Sequence, residues 1–202
     1  MPISTWTTFF DHFSRSLKAV PPDRFARAWN VEDERTAIYR AIIKSAGTVP
    51  AMSALTFRPE RCRIDFMLGY DVPSATGLRP AFVPVIAVES ENNVKDAAFE
   101  VDSLCALAAP VKLLITCAIW HETPPTQLPR EALLEHWRAI HAAHRAGRPE
   151  LPEDMFAVVV GERTRQDLRF YLEYLSAPPG PLPEPFHQVR LPRDVSIGRP
   201  AV

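Results

Sequence analysis

Residues 82–119 restrict the fold more than any other part of this chain. Apolar runs at 82–90 and 111–119 each have strand length, and between them Val94, Ala97, Ala98, Val101, Cys105 and Ala108 recur at helical spacing. Strand, helix and strand with no room for a hairpin predict a right-handed parallel crossover, with the carboxy ends of both strands at one edge of a sheet. Open α/β sheets commonly bind their ligands at that edge. The first run ends in Val88-Glu89-Ser90-Glu91, and the two-residue period of a strand puts Glu89 and Glu91 on one face. Two carboxylates held together at a strand end are either solvated at the rim or bind a cation.

Upstream, Trp6, Phe9, Phe10, Phe13, Leu17 and Val20 predict an amphipathic helix over 4–19, ended by Pro21-Pro22, with its aromatic stripe turned to the core. A second helical region covers about 23–46, with a break near Asn30 and a stop near Gly47. Ile38, Ala41, Ile42 and Ser45 mark its inward face, and Glu34, one turn before Ile38, falls on that face. An inward carboxylate is either paired with an arginine or has chemical work to do. Strands are expected at 52–58 and 61–70, joined at Pro59-Glu60, with Asp65 on the face shared by Arg61, Arg63 and Met67. There Asp65 either pairs with an arginine such as Arg63 or serves as a ligand. Asn92 or Asn93 caps the crossover helix and Pro110 ends it. Further on come a helix at 130–146, a strand at 155–161 and an amphipathic strand or helix at 168–175. Residues 1–176 thus form a single α/β domain, and the proline-rich stretch 177–202 an extended, poorly packed tail.

Several function classes drop out. Only 7 glycines stand against 21 prolines, and neither a P-loop nor a dinucleotide fingerprint is present. Cys62, Cys105 and Cys117 sit in apolar surroundings, too few and too odd in number for a disulfide framework, which predicts a reducing, cytoplasmic setting. Without C-x-x-C or G-x-S-x-G, structural zinc and serine hydrolysis have no motif. The longest apolar stretch, 104–120, contains Pro110 and Lys112 and falls short of a membrane span; Asp11, His12, Arg15 and Lys18 interrupt any signal-peptide core. His136, His141 and His144 lack zinc-helix spacing and read as solvated, whereas His121 either assists proton transfer beside the sheet edge or is a plain loop histidine. The net charge of −1 is unevenly spread: residues 1–63 carry 10 basic and 6 acidic side chains, and residues 64–127 carry 3 and 8. An acidic centre suits a divalent cation, and a basic first third suits a phosphate backbone.

A helix acid (Glu34), two strands with an aspartate in the second (Asp65), a third strand ending in Glu89-x-Glu91, then a helix and an apolar strand together resemble the core of the PD-(D/E)XK nuclease superfamily, over about residues 30–119. The resemblance implies a restriction-endonuclease-like α/β fold, a mixed central sheet flanked by helices, here with an extra N-terminal helix and later C-terminal elements. It also implies Mg²⁺- or Mn²⁺-dependent phosphodiester hydrolysis of nucleic acid, DNA ahead of RNA. Asp65 and Glu89 would be the metal ligands, the Ser90 carbonyl would join the coordination shell, and Glu34 would be a supporting acid. One position departs from the pattern: Glu91 stands where the family has its lysine, giving E-x-E for E-x-K. Lys95, one turn into the next helix, is the first candidate for a displaced lysine, and Arg63 the second. The departure equally fits a catalytically inactive module of the same fold that binds nucleic acid or a protein partner. The oligomeric state stays open, a homodimer included.

Overall fold

The computed structural model describes residues 2–29, 31–74, 81–118, 120, 129–151, 153–164, 166–177 and 180–191. Its helices are α1 (Pro2–Lys18), α2 (Pro22–Ala28), α3 (Glu32–Ala46), α4 (Ala97–Ala106) and α5 (Arg130–Gly147). Its strands are β1 (Thr56–Arg61), β2 (Ile64–Val72), β3 (Ala81–Glu91), β4 (Val111–Cys117), β5 (Met155–Arg163), β6 (Asp167–Tyr174) and β7 (His187–Arg190). The strands form one mixed sheet in sequence order, parallel at β3/β4 and β4/β5 and antiparallel elsewhere.

Two parallel crossovers that step the same way across a sheet with the same hand lay their helices on the same face. Accordingly α4 and α5 share one face, where Val101, Leu104 and Trp137 pack with Ala87, Leu114 and Val158. The opposite face is covered by α1–α3, through Phe9, Phe13, Phe25, Tyr39 and Ile43 against Phe66, Val88, Leu113 and Val159. The aromatic stripe of α1 is therefore core. With helices on both faces, β4 is apolar nearly throughout, as a central parallel strand must be. No helix among the described residues is long and apolar enough to cross a membrane.

Several expected boundaries move. The hairpin turns at Cys62-Arg63 rather than Pro59-Glu60, because β1 is the edge strand and tolerates Pro59, which pairs with Phe66, in its interior. A short 3₁₀ turn (Pro50–Met52) occupies the start of the expected first strand. The crossover helix begins at Ala97, not after Asn92 or Asn93. Asn93 spends its side chain closing a turn instead: its amide donates to Asp96 Oδ2 (2.6 Å) and its Oδ1 accepts the Lys95 N–H (3.1 Å). Residues 168–175 resolve as strand β6. Part of the proline-rich segment is packed, since β7 pairs with β6 and Phe186 packs against the α1 side of the core. Of the cysteines, Cys62 is exposed at the hairpin tip, against expectation. Asn30 lies outside the described residues.

Gly69 marks a register shift where β2 meets β3. A Cβ there would lie 2.2 Å from the Val83 carbonyl oxygen, so the two backbones approach as closely as only glycine permits.

Candidate functional site

The carboxy edge of β3 meets the start of β2. Phe66 pairs with Val88, so Asp65 stands across from Glu89. Two hydrogen bonds tie the pair: the Ser90 N–H donates to Asp65 Oδ2 (3.0 Å) and the Asp65 N–H donates to Glu89 Oε2 (3.2 Å). Each carboxylate is thus fixed by the backbone of the opposite strand.

Glu89 is only 3% exposed, and its Oε1 has no hydrogen-bond partner among the described residues. Solvation at the rim is therefore not what keeps it there. Burial pushes its carboxyl up to about 9, with the negative charges of Asp65 and then Glu100 adding to the shift. Burial also raises Asp65, which is half-buried, although the Ser90 N–H and Arg40 oppose this. No arginine forms an ion pair with Asp65 among the described residues, so the Arg63 pairing is not formed.

The third acid of the cluster is Glu100, on α4. It lies against Glu89, and burial raises its carboxyl as well. Sequence reasoning missed it, although the signal was there: Glu100 falls three residues after Ala97 and four before Leu104, both fully buried. Glu34 is not in this group. The buried arc of α3 runs through Ile38, Tyr39, Ile42, Ile43 and Ala46, with Arg35 near its centre, whereas Glu34 lies about 110° away at 100° per residue. Glu34 and Ala41 are exposed, a correction to the inward face expected of them. Arg35 takes the inward place and donates from Nε to Asn92 Oδ1 (2.8 Å) and to the Trp29 carbonyl oxygen.

Glu91 is half-buried, and its Oε1 accepts the Asn93 N–H (2.6 Å), so it helps close the turn after β3. Lys95 is exposed in that turn, and its side chain joins none of the acids by hydrogen bond or ion pair among the described residues. The Ser90 hydroxyl is buried without a hydrogen-bond partner among the described residues. His121 lies outside the described residues.

The donors themselves decide whether a metal fits. Among the described residues no three His, Cys, Asp or Glu side chains converge as a ready-made coordination shell. In kind the donors do suit a hard divalent ion: carboxylate oxygens from β2, β3 and α4, one of them buried and unpartnered. Burial and the neighbouring acids favour the neutral form of Glu89, and a bound cation would relieve the same crowding of charge.

A second buried ionic group lies at the opposite edge of the sheet. Lys112, at the start of β4, pairs with Asp154, which His141 Nε2 also meets at 3.0 Å. Burial alone would raise the Asp154 carboxyl, but the hydrogen bonds from His141 and Lys112 outweigh it and hold Asp154 well below the usual carboxylate range. His141 is buried in α5 rather than solvated, because that face of the helix covers the sheet. Its sequence signal was Lys112, one charge in an otherwise apolar strand. No protein-family model matches the chain, and no curated protein matches it.

Proposed function

We propose that the chain is a PD-(D/E)XK-like phosphodiesterase acting on nucleic acid, with Asp65 and Glu89 as the residues that would hold Mg²⁺ or Mn²⁺. One observation carries the reading: Glu89 is buried at the carboxy edge of the parallel strands, across from Asp65 and against Glu100, with one carboxylate oxygen that accepts no hydrogen bond among the described residues. The order α3, β1, β2, β3, α4, β4, with β3 and β4 parallel, is also the order the resemblance implies. A divalent cation held there would polarise a phosphoryl oxygen and lower the pKa of a bound water. Asp65 and Glu89 orient the donors, their positions set by the backbone N–H groups of Ser90 and Asp65. Glu100 supplies a further oxygen in place of Glu34, and the Ser90 carbonyl remains the fourth candidate. The test is cleavage of a labelled DNA oligonucleotide in Mg²⁺ or Mn²⁺. We expect activity in the wild type and at least a hundredfold loss, about 2.7 kcal/mol of barrier, in Asp65→Asn and Glu89→Gln. Cleavage that survives in both variants would sink the assignment.

One observation favours a second reading. Glu91 occupies the lysine position and is engaged in closing a turn, and Lys95 points its charge to solvent rather than to the acids. A non-catalytic module of the same fold, binding nucleic acid or a protein, accounts for both. Nucleic-acid binding without cleavage in either metal would select it.

A further inference from the structure

Thr116 is the only hydroxyl-bearing residue of β4, and it is 1% exposed. Its Oγ1 forms no hydrogen bond among the described residues. A buried hydroxyl without a partner costs stability, because water satisfied it in the unfolded chain. Valine has nearly the same shape, carries no such cost and suits a central parallel strand as well. The position therefore keeps a hydroxyl that the fold itself does not use.

The sheet shows from which side a partner for that hydroxyl must come. Leu113 and Ile115 pack on the α1–α3 side and Leu114 on the α4–α5 side, so Thr116, two residues past Leu114, faces α4–α5. Glu89, two residues past Ala87, is on the same face. The ladder sets Thr116 between Val160 of β5 and Glu91 of β3, with Glu89 beside Leu114. A valine side chain cannot pair a hydroxyl, so the polar side is that of β3. With strands about 4.8 Å apart and a rise of about 3.3 Å per residue, Thr116 and Glu89 are diagonal neighbours, roughly 8 Å apart at their Cα atoms. Glu89 Oε1, like Thr116 Oγ1, is buried and without a hydrogen bond among the described residues. Two such groups, on adjacent strands of one face and not bonded to each other, suit a small polar ligand between them. Magnesium-type ions bring one, since Mg²⁺ keeps several of its waters when protein-bound. A hydroxyl both donates and accepts, so it can hold a water in either orientation. We propose, on the basis of the metal reading above, that Thr116 is a positioning residue of the acid site, its hydroxyl hydrogen-bonding a water that accompanies the divalent ion at Asp65 and Glu89.

The test is calorimetric titration of Mn²⁺ into the full chain, beside thermal melting in EDTA, for the wild type, Thr116→Val and Thr116→Ser. Thr116→Val should melt at or above the wild-type temperature, because an unpaired hydroxyl is gone, yet bind Mn²⁺ about tenfold more weakly or worse. Thr116→Ser keeps the hydroxyl and loses a packed methyl group, so it should melt lower yet bind Mn²⁺ as the wild type does. A merely structural Thr116 would move stability and affinity together, so the opposite order of the two variants identifies the hydroxyl. Equal affinity in Thr116→Val and a wild type that binds overturns this proposal and leaves the metal reading standing. Thr116→Ser binding as weakly as Thr116→Val, or Thr116→Val losing stability along with affinity, also overturns it. A folded wild type that binds no Mn²⁺ overturns the metal reading and this proposal with it, so the two failures are distinguishable.

Discussion

Glu89 and Asp154 show how opposite surroundings move the same chemical group in opposite directions. Glu89 meets burial and like charge, so its neutral form is favoured. Glu89→Gln keeps that form and shape, and the melting temperature at pH 7 should stay within about 2 °C of wild type, a change of roughly half a kcal/mol. Asp154 accepts hydrogen bonds from His141 and Lys112, so its ionised form is favoured. A carboxylate whose folded pKa is depressed contributes stability that is complete above its unfolded pKa, near 4, and lost as pH falls through the lower folded pKa. Lys112→Met leaves Asp154 buried with one partner fewer, and urea unfolding at pH 7 should show a loss of about 3–5 kcal/mol. It should also move the acid-unfolding midpoint to higher pH, because Asp154 then protonates more easily. At this scale the sequence was legible where alternation alone decides direction, as for Asp65 and Glu89. It misled at Glu34, because Ala41 and Ser45 drew the expected inward face to one side, whereas the burial of Tyr39, Ile43 and Ala46 turns it toward Arg35. Glu91 stays within reach of the acid group, since its charge adds to the rise of the Glu100 carboxyl, while its Oε1 accepts the Asn93 N–H and helps close the turn.

Among elements, the crossover was the clearest part of the chain, because hydrophobic period and available length leave one connection between β3 and β4. Turn chemistry was the least clear. Pro59-Glu60 is a good turn dipeptide, but an edge strand accepts proline, and the hairpin instead closes at two residues with little left-handed preference. Strand β7 was hidden by the prolines around it, since four residues pairing with an edge leave almost no periodic signal. The contact between β2 and β3 supplies a test of the sheet itself. Gly69→Ala would force a methyl group against the Val83 carbonyl and should cost about 2 kcal/mol or more in urea unfolding. That substitution should also disturb the Asp65–Glu89 alignment, four residues from Gly69 along β2 and five from its partner Pro84 along β3.

At the scale of the whole molecule, three layers hold the acid edge in place, with α1–α3 on one side of the sheet and α4–α5 on the other. Helix α1 belongs to this framework, since Phe9, Phe13 and Leu17 are completely buried. Phe13→Ala should cost about 3–5 kcal/mol, measured by denaturant unfolding, which is a large share of the roughly 5–15 kcal/mol that stabilises a domain. The alternation of strands and helices made this layering legible in outline. The identity of the face that each helix covers followed only once the sheet order was known. The central claim is that the edge of β3 is a divalent-metal site. Calorimetric titration of Mn²⁺ into the wild type, Asp65→Asn and Glu89→Gln, with folding checked by circular dichroism, tests it most directly. The account predicts saturable binding in the wild type that is weakened at least tenfold in each folded variant. Mn²⁺ binding of equal strength in all three proteins, or none in a folded wild type, would contradict it.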